Sequence, residues 1–329
     1  MNNKIIRFYS KRWIYFALSL SIMAIGTIFA LVDGISLDIQ FKGGAMLTYT
    51  YEGTLNSSDT NKAEEIATKQ LNRQVSSQLT QDFSTHQKRI IFNLTGKYGV
   101  NAKDQKAFEA ALTKAFPKAN LKLYETKMVE KYFGDKFLRQ GMIAIILAAV
   151  LIVAYVWIRF KMMGGLSAGV MALVALCHDV LVVFFTCVIA KIPIGDSFVA
   201  VALSILGYSI NDTIVIYDRI RENVKELVDV PIETITDLSI TQSLHRSVNT
   251  NIAVMISVSM VYIIAHMNDI ASIQAFALPM AVGSISGCYS TVCIAGPLWV
   301  MWKKRKGNTI IFKEKTKEPI RISVNNKKK

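Results

Sequence analysis

Six long apolar runs and one long polar stretch divide this chain of 329 residues. The first run covers Trp13–Val32, and residues 33–136 form the polar stretch. The other runs fill the second half: Phe137–Ile158, Gly164–Ala190, Ser197–Tyr217, a segment ending near His266, and Ile273–Met301. Runs of about 18 or more apolar residues have the length of a transmembrane helix. The fifth run is ambiguous at its start, because its strictly apolar part, Ile252–Ala265, is too short for a hydrocarbon core of ~30 Å. Extending it back through Leu238–Asn251 supplies the missing length and draws Arg246 into the membrane. The pattern therefore predicts a polytopic α-helical membrane protein with six transmembrane helices, the first at 13–32 and the others within 137–306. A polar segment near 218–237, broken by Pro231, reads as a cytoplasmic link between the fourth and fifth spans.

Within residues 33–136 the periodicity changes. Ala45–Glu52 alternates, with Ala45, Leu47, Tyr49 and Tyr51 on one side, as a half-buried strand does. Lys62–Val75 places Ala63, Ile66, Ala67 and Leu71 on one helical face, behind Asp59 and Asn61 as candidate caps. Arg89–Leu94 reads as a second strand, Asn101–Phe116 as a second helix with Phe108, Ala111, Leu112 and Ala115 inside, and Leu121–Met128 as a weakly alternating third strand. This β-α-β-α-β order predicts one extracytoplasmic α+β domain of about a hundred residues, large enough for a core of its own.

Charge sorts the connections. Lys and Arg total 38 against 24 Asp and Glu. Lys4, Arg7, Lys11 and Arg12 in residues 1–12, then Arg159 and Lys161, then Arg219, Arg221 and Lys225, and finally the tail 307–329 all fall on one side of the six spans. The connections 191–196 and 266–272 are nearly free of Lys and Arg. By the positive-inside bias, both termini are cytoplasmic and residues 33–136 lie outside. The same bias accounts for the positive charge without a nucleic-acid partner. The first run is longer than the ~7–15 residues of a signal-peptide core. The basic, polar tail reads as disordered, and it can meet anionic membrane lipid or a ribosome, or act only as a topology anchor. Cys177, Cys187, Cys288 and Cys293 lie in apolar runs, without a disulfide framework. His86, His178, His245 and His266 are scattered, which argues against a metal site or a metal enzyme.

The candidate chemistry sits where charge enters the membrane. A carboxylate at mid-helix costs about 2.5–3.5 kcal/mol on insertion scales, so an intramembrane Asp is a functional candidate by default. Asp212 is such a residue, and Ser204, Tyr208, Asn211 and Asp212 share one helical face. On the extended fifth span, Gln242, Arg246, Asn249 and Thr250 share another. At ~1.5 Å per residue, Asp212 and Arg246 reach comparable depths, roughly 10 and 12 Å in from Arg219 and Leu238. Two antiparallel polar stripes are thus expected to face each other, with Asp212 opposite Arg246. The pair reads either as a static buried salt bridge or as a protonation site that titrates as water access changes. His178 and Asp179 form a second intramembrane pair and a candidate relay, although neighbours on a helix point ~100° apart. Gly283, Ser284, Gly287, Ser290 and Thr291 on the last span suit close helix packing.

The segment Gly207-Tyr-Ser-Ile-Asn-Asp-Thr-Ile-Val-Ile-Tyr-Asp-Arg-Ile-Arg-Glu-Asn223 closely resembles the fourth-span motif of SecF. SecF is a subunit of the SecD–SecF protein-export complex, related in architecture to the resistance–nodulation–division transporters. Thr241-Gln-Ser-Leu-His-Arg-Ser247 is similar to the family's Arg-bearing segment, from which Thr241, His245 and Ser247 depart. Phe276-Ala-Leu and Tyr289-Ser-Thr with Pro297 look like its last span. Phe41-Lys-Gly-Gly44 resembles the segment after its first span, with Gln40 where Asp is usual. The resemblance implies a non-enzymatic accessory of the Sec translocon in the bacterial cytoplasmic membrane. It implies ion coupling through Asp212 and Arg246, with H+ or Na+ as the ion and no other cofactor. The implied partners are a SecD-like subunit, a SecYEG-type channel and an unfolded preprotein. From the residues alone, an ion-coupled half-transporter for a small molecule or lipid remains an alternative.

Overall fold

The computed structural model of the protein describes residues 5–307 apart from 33, 39, 40, 42, 43, 74, 82–86, 96–99, 118, 130, 228, 229 and 269. Gln40, His86 and the basic tail therefore lie outside the described residues. The polar segment folds as a four-stranded antiparallel sheet with two helices. Its elements are β1 (Gly44–Tyr51), α2 (Ser57–Leu71), β2 (Val75–Gln81), β3 (Lys88–Thr95), α3 (Ala102–Ala115) and β4 (Lys122–Val129). The strand order β2-β3-β1-β4 makes two interlocked split β-α-β units, the ferredoxin-like arrangement. The alternating side of β1 delivers Ala45, Leu47 and Tyr49 to the core, where they meet Phe92 and Leu94 of β3, Ala63 and Ala67 of α2, and Phe108 and Leu112 of α3. Tyr49, Phe92 and Phe108 stack edge to face, with ring centroids 5.1–6.0 Å apart.

Strand β2 is the element that the periodicity does not announce. Only Val75 and Leu79 of Val-Ser-Ser-Gln-Leu-Thr-Gln are apolar. It is an edge strand paired with β3 alone, so alternation has little to bury. Its inner polar residue is satisfied locally instead, since the Ser77 amide donates to Glu64 Oε1 at 2.6 Å.

Among the described residues, six helical segments are long and apolar enough to cross a bilayer. They are α1 (Arg12–Val32), α4 (Lys131–Arg159), α5 (Gly165–Ile189), α6 (Asp196–Glu226), α7 (Ile232–Met267), and a last segment in three parts. Those parts are α8 (Ala271–Ser290), a π-helical stretch (Thr291–Ala295) and α9 (Gly296–Arg305). The protein is thus a multi-pass membrane protein with a small α+β domain between its first two spans. Helix α8 packs against α5, α6 and α7, and α5 also meets α1, α4 and α6. Two of the glycines let helices approach closely. A Cβ on Gly165 would strike the carbonyl oxygen of Trp157, and one on Gly287 would lie 3.1 Å from Ser209 Cβ.

The link near 218–237 is largely helical. Helix α6 has 31 residues and α7 has 36. At ~1.5 Å per residue they are ~46 and ~54 Å long, well beyond a ~30 Å core. Their adjoining ends therefore project as a helical hairpin, broken before Pro231, which is the N-cap of α7. Its fixed φ and missing N–H suit that boundary. Asp218 pairs with Arg159 at 3.1 Å and with Arg221 at 2.9 Å. The segment before α1 is pinned to the same hairpin, where the Tyr9 amide donates to Asp237 Oδ1 at 2.9 Å. At the other end of the bundle, the Asp38 amide donates to the Ile194 carbonyl at 2.9 Å, and the Ile194 amide to the Ser36 carbonyl at 2.8 Å. Phe41 packs beside them on Cys187 and Ile194. The lead into the α+β domain is thereby fastened to the connection between α5 and α6.

Candidate functional site

Helices α6 and α7 run antiparallel and meet along a ladder of polar contacts. At the hairpin end, Asn223 Nδ2 donates to Ser239 Oγ and to Gln242 Oε1, both at 2.8 Å, and Arg219 Nε donates to Gln242 Oε1 at 2.7 Å. Deeper in the bundle, Ser247 Oγ donates to Asp212 Oδ1 at 2.5 Å. Next, Asn251 Nδ2 reaches Tyr208 Oη at 3.3 Å and the Ser284 carbonyl of α8 at 2.6 Å. The cause is local. Ser239, Ser243 and Ser247 recur every fourth residue of α7 and are all buried. Small hydroxyl side chains let the backbones approach and supply interhelical donors.

This register corrects the expected pairing. The α7 face that meets Asp212 is the serine face, about 100° around the helix from the stripe of Gln242, Arg246, Asn249 and Thr250. Arg246 lies within Coulombic range of the Asp212 carboxylate. Among the described residues, however, it joins none of the ion pairs, which are Arg159–Asp218, Arg221–Asp218, Arg219–Glu222, Lys304–Glu233, Lys127–Glu125 and His178–Asp179. Gln242 is drawn to Arg219 and Asn223. Asn249 bonds His245, and Thr250 bonds the Arg246 carbonyl within its own helix. Arg246, Asn249 and Thr250 are exposed, as are Ser204, Gly207 and Asn211 on α6, whereas Tyr208 and Asp212 are half-buried. One side of the seam is therefore closed by serines and Asn251, and the other is an open polar strip at membrane depth.

The second pair is the more deeply buried one. Asp179 is fully buried at the junction of α5, α6 and α8. Its Oδ2 accepts from Ser209 Oγ at 2.8 Å and Ser290 Oγ at 2.7 Å, and its Oδ1 from Ser286 Oγ at 2.7 Å. His178 Nδ1 stands 3.2 Å from Oδ1, so these sequence neighbours do meet despite their ~100° offset. Ser286 and Ser290 share one face of α8, and Thr291 continues the polar line to Thr213 of α6 at 3.1 Å. The small residues of the last span thus carry hydrogen bonds as well as close packing. Ser209, Asn251 and Ser286 escaped the sequence reading, and Ser247 and Ser290 entered it only as a departure from the family segment and as a packing residue. The four-residue spacings Ser239–Ser243–Ser247 and Ser286–Ser290 are the signal that could have found them. Among the described residues, no group of three or more His, Cys, Asp or Glu is placed to hold a metal ion.

Residues 107–305 match the family described as protein export membrane protein SecD/SecF, C-terminal. The chain belongs to the SecD/SecF family. Protein translocase subunit SecF of Alicyclobacillus acidocaldarius is 31% identical over 305 residues, covering 90% of this chain and 92% of its own. That of Petrotoga mobilis is 29% identical over 310 residues, covering 92% of this chain and 98% of its own. The crystal structure of SecDF, a translocon-associated membrane protein from Thermus thermophilus, shares the fold with a TM-score of 0.72 at 24% identity. That match covers 92% of this chain but 39% of the SecDF chain, so this SecF-type chain spans about two-fifths of the solved protein. Membership assigns the chain to Sec protein export as a non-enzymatic membrane component of the translocase.

Proposed function

We propose that this chain couples ion movement to preprotein export, together with a SecD-like subunit that covers the open strip of α6 and α7. The observation that carries the proposal is the half-buried Asp212, closed on one side by Ser247 and flanked on the other by exposed Arg246. An unpaired guanidinium and several amides facing lipid would be costly, so the strip calls for a protein or water-lined neighbour. That the chain matches 39% of a SecDF chain supports a second membrane half as that neighbour. A carboxylate at such a seam can exchange H+ or Na+ as the neighbour opens and closes. The available drive is about 2.3 kcal/mol per charge per 100 mV. With both termini in the cytoplasm, the α+β domain would face the emerging unfolded chain beyond a SecYEG-type channel. The lead at Ser36–Phe41, fastened to the α5–α6 connection, would pass helix movement to that domain.

The test is Asp212→Asn in cells and in vesicles with imposed H+ or Na+ gradients. Loss of gradient-stimulated export, with copurification of the SecD-like partner intact, is the expected result. Unchanged gradient-stimulated export would sink the coupling role.

A further inference from the structure

The Asp179 cluster does something that the Asp212 seam does not explain. A carboxylate offers about four lone-pair sites, and here all four are filled: two on Oδ2 by Ser209 and Ser290, two on Oδ1 by Ser286 and His178. With the carboxylate ionised all four sites accept, whereas a protonated acid would donate to His178 Nδ1 in its other tautomer. In the ionised form Oδ1 can only accept, and His178 Nδ1 is the donor. That choice of tautomer leaves Nε2 with the free lone pair. Among the described residues Nε2 is buried without a hydrogen-bond partner, on a side chain only 10% exposed. With Asp179 ionised, the cluster carries a net negative charge beside a basic nitrogen that accepts no hydrogen bond among the described residues.

We propose that His178 and Asp179 form a proton-binding site distinct from Asp212, with His178 Nε2 as the atom that takes the proton. Binding one proton there converts an imidazole–carboxylate pair of charge −1 into an imidazolium–carboxylate pair of charge zero. No other bond is broken, and the proton comes from and returns to water. Neutralisation favours occupancy at low dielectric, because a single buried charge is far costlier than a close pair.

The surroundings suit a site that senses helix movement. Ser286 and Ser290 belong to α8, which carries Pro279 and runs directly into the π-helical stretch Thr291–Ala295. Such stretches are locally soft and recur at functional sites. Gly287 lets α8 come within van der Waals reach of Ser209. A shift of α8 against α5 would remove two of the hydroxyl donors and weaken the hold on the carboxylate. The ionisable groups nearby are few. Tyr289 lies with its ring 6.1 Å from the imidazole, and its hydroxyl donates to the Tyr15 carbonyl of α1 at 2.7 Å. Cys177 adjoins on α5, Cys288 and Cys293 lie on α8 and the π stretch, and Asp212 is one turn from Ser209 on α6. Helix α4 offers Tyr155 between its charged ends, and Arg246 is on α7, which packs on α6 and α8.

The proposal does not rest on coupling through Asp212, and one experiment separates the two. The full chain in lipid nanodiscs, with 15N-labelled imidazole, is made with His86→Gln, His245→Gln and His266→Gln so that His178 is the remaining histidine. The expected spectrum shows Nδ1 protonated and Nε2 bare at high pH, with Nε2 gaining one proton on acidification. Asp179→Asn moves that transition to lower pH by roughly 1–3 units, the effect of removing an opposite charge. The transition persists in Asp212→Asn. A spectrum unchanged from pH 5 to 9 would overturn the proposal in favour of static packing, and this is read on a chain with the cluster intact. A change produced by Na+ at fixed pH without any response to pH, or a transition lost in Asp212→Asn, would also overturn it.

Discussion

Ser247, rather than Arg246, makes the direct contact with Asp212: its hydroxyl donates to the carboxylate at 2.5 Å across the α6–α7 seam. The carboxylate is thus held by a neutral group on one side and left open to a charged one on the other. A hydroxyl stabilises an anion without neutralising it, which keeps the group responsive to whatever ion arrives.

Removing that donor tests the arrangement. A hydrogen bond to a charged group contributes about 1.5–3 kcal/mol. Ser247→Ala should therefore weaken gradient-stimulated export by roughly tenfold or more, while Ser247→Thr, which keeps the hydroxyl, should retain most of it. Export rates at matched protein levels, with and without an imposed gradient, check both variants.

Arg246 should behave differently. It is exposed and joins no ion pair among the described residues, so Arg246→Ala should shift the stability of the isolated chain by no more than about 0.5 kcal/mol. The loss should appear in gradient-stimulated export and in the yield of copurified SecD-like partner. Unfolding in detergent, run beside copurification, separates the two effects.

The glycines make a graded pair. A Cβ at position 165 would press on a backbone carbonyl that cannot swing aside, so Gly165→Ala should destabilise by about 1–3 kcal/mol. At Gly287 the added Cβ would meet Ser209 Cβ at 3.1 Å, a contact that a few tenths of an ångström relieve. Gly287→Ala should cost less overall but loosen the Ser209–Asp179 hydrogen bond. Thermal unfolding of the full chain orders the variants, and Gly287→Ala should also change the His178 imidazole signal.

In the α+β domain, Tyr49 is fully buried and its hydroxyl has no hydrogen-bond partner among the described residues. Tyr49→Phe should leave stability equal or slightly higher, whereas Tyr49→Ala should lose about 3–5 kcal/mol. Burial pushes the Tyr49 phenol above its ordinary value of 10.0, so the folded state holds the proton more tightly than the unfolded chain. The resulting stability is complete below pH ~10 and falls as pH rises beyond it. Denaturant titrations between pH 9 and 11 should show that fall reduced in Tyr49→Phe.

Much of the architecture was legible along the chain. The six spans follow from run length, and the α+β domain from its switch between periods of two and 3.6. Strand β2 was hidden because an edge strand with Val75 and Leu79 alone facing inward has too little alternation to register. The hairpin at 218–237 was legible as a charged link broken by Pro231, but not as a packed unit. Its order comes from side chains that meet only in three dimensions, such as Asn223 with Ser239 and Gln242.

The sequence by itself determined which residues must avoid lipid: Asp179, Asp212 and Arg246, at depths set by counting along each helix. Tertiary structure alone decided which of them touch. Depth is written in hydropathy because the bilayer acts on every residue separately. Rotation about the helix axis is not, because on α7 the serine face and the Arg246 face carry the same periodicity about 100° apart. The choice between them falls to packing, where the small serines let α7 close on α6 and leave the long guanidinium outside. The same closeness on α8 gathers Ser286 and Ser290 around Asp179.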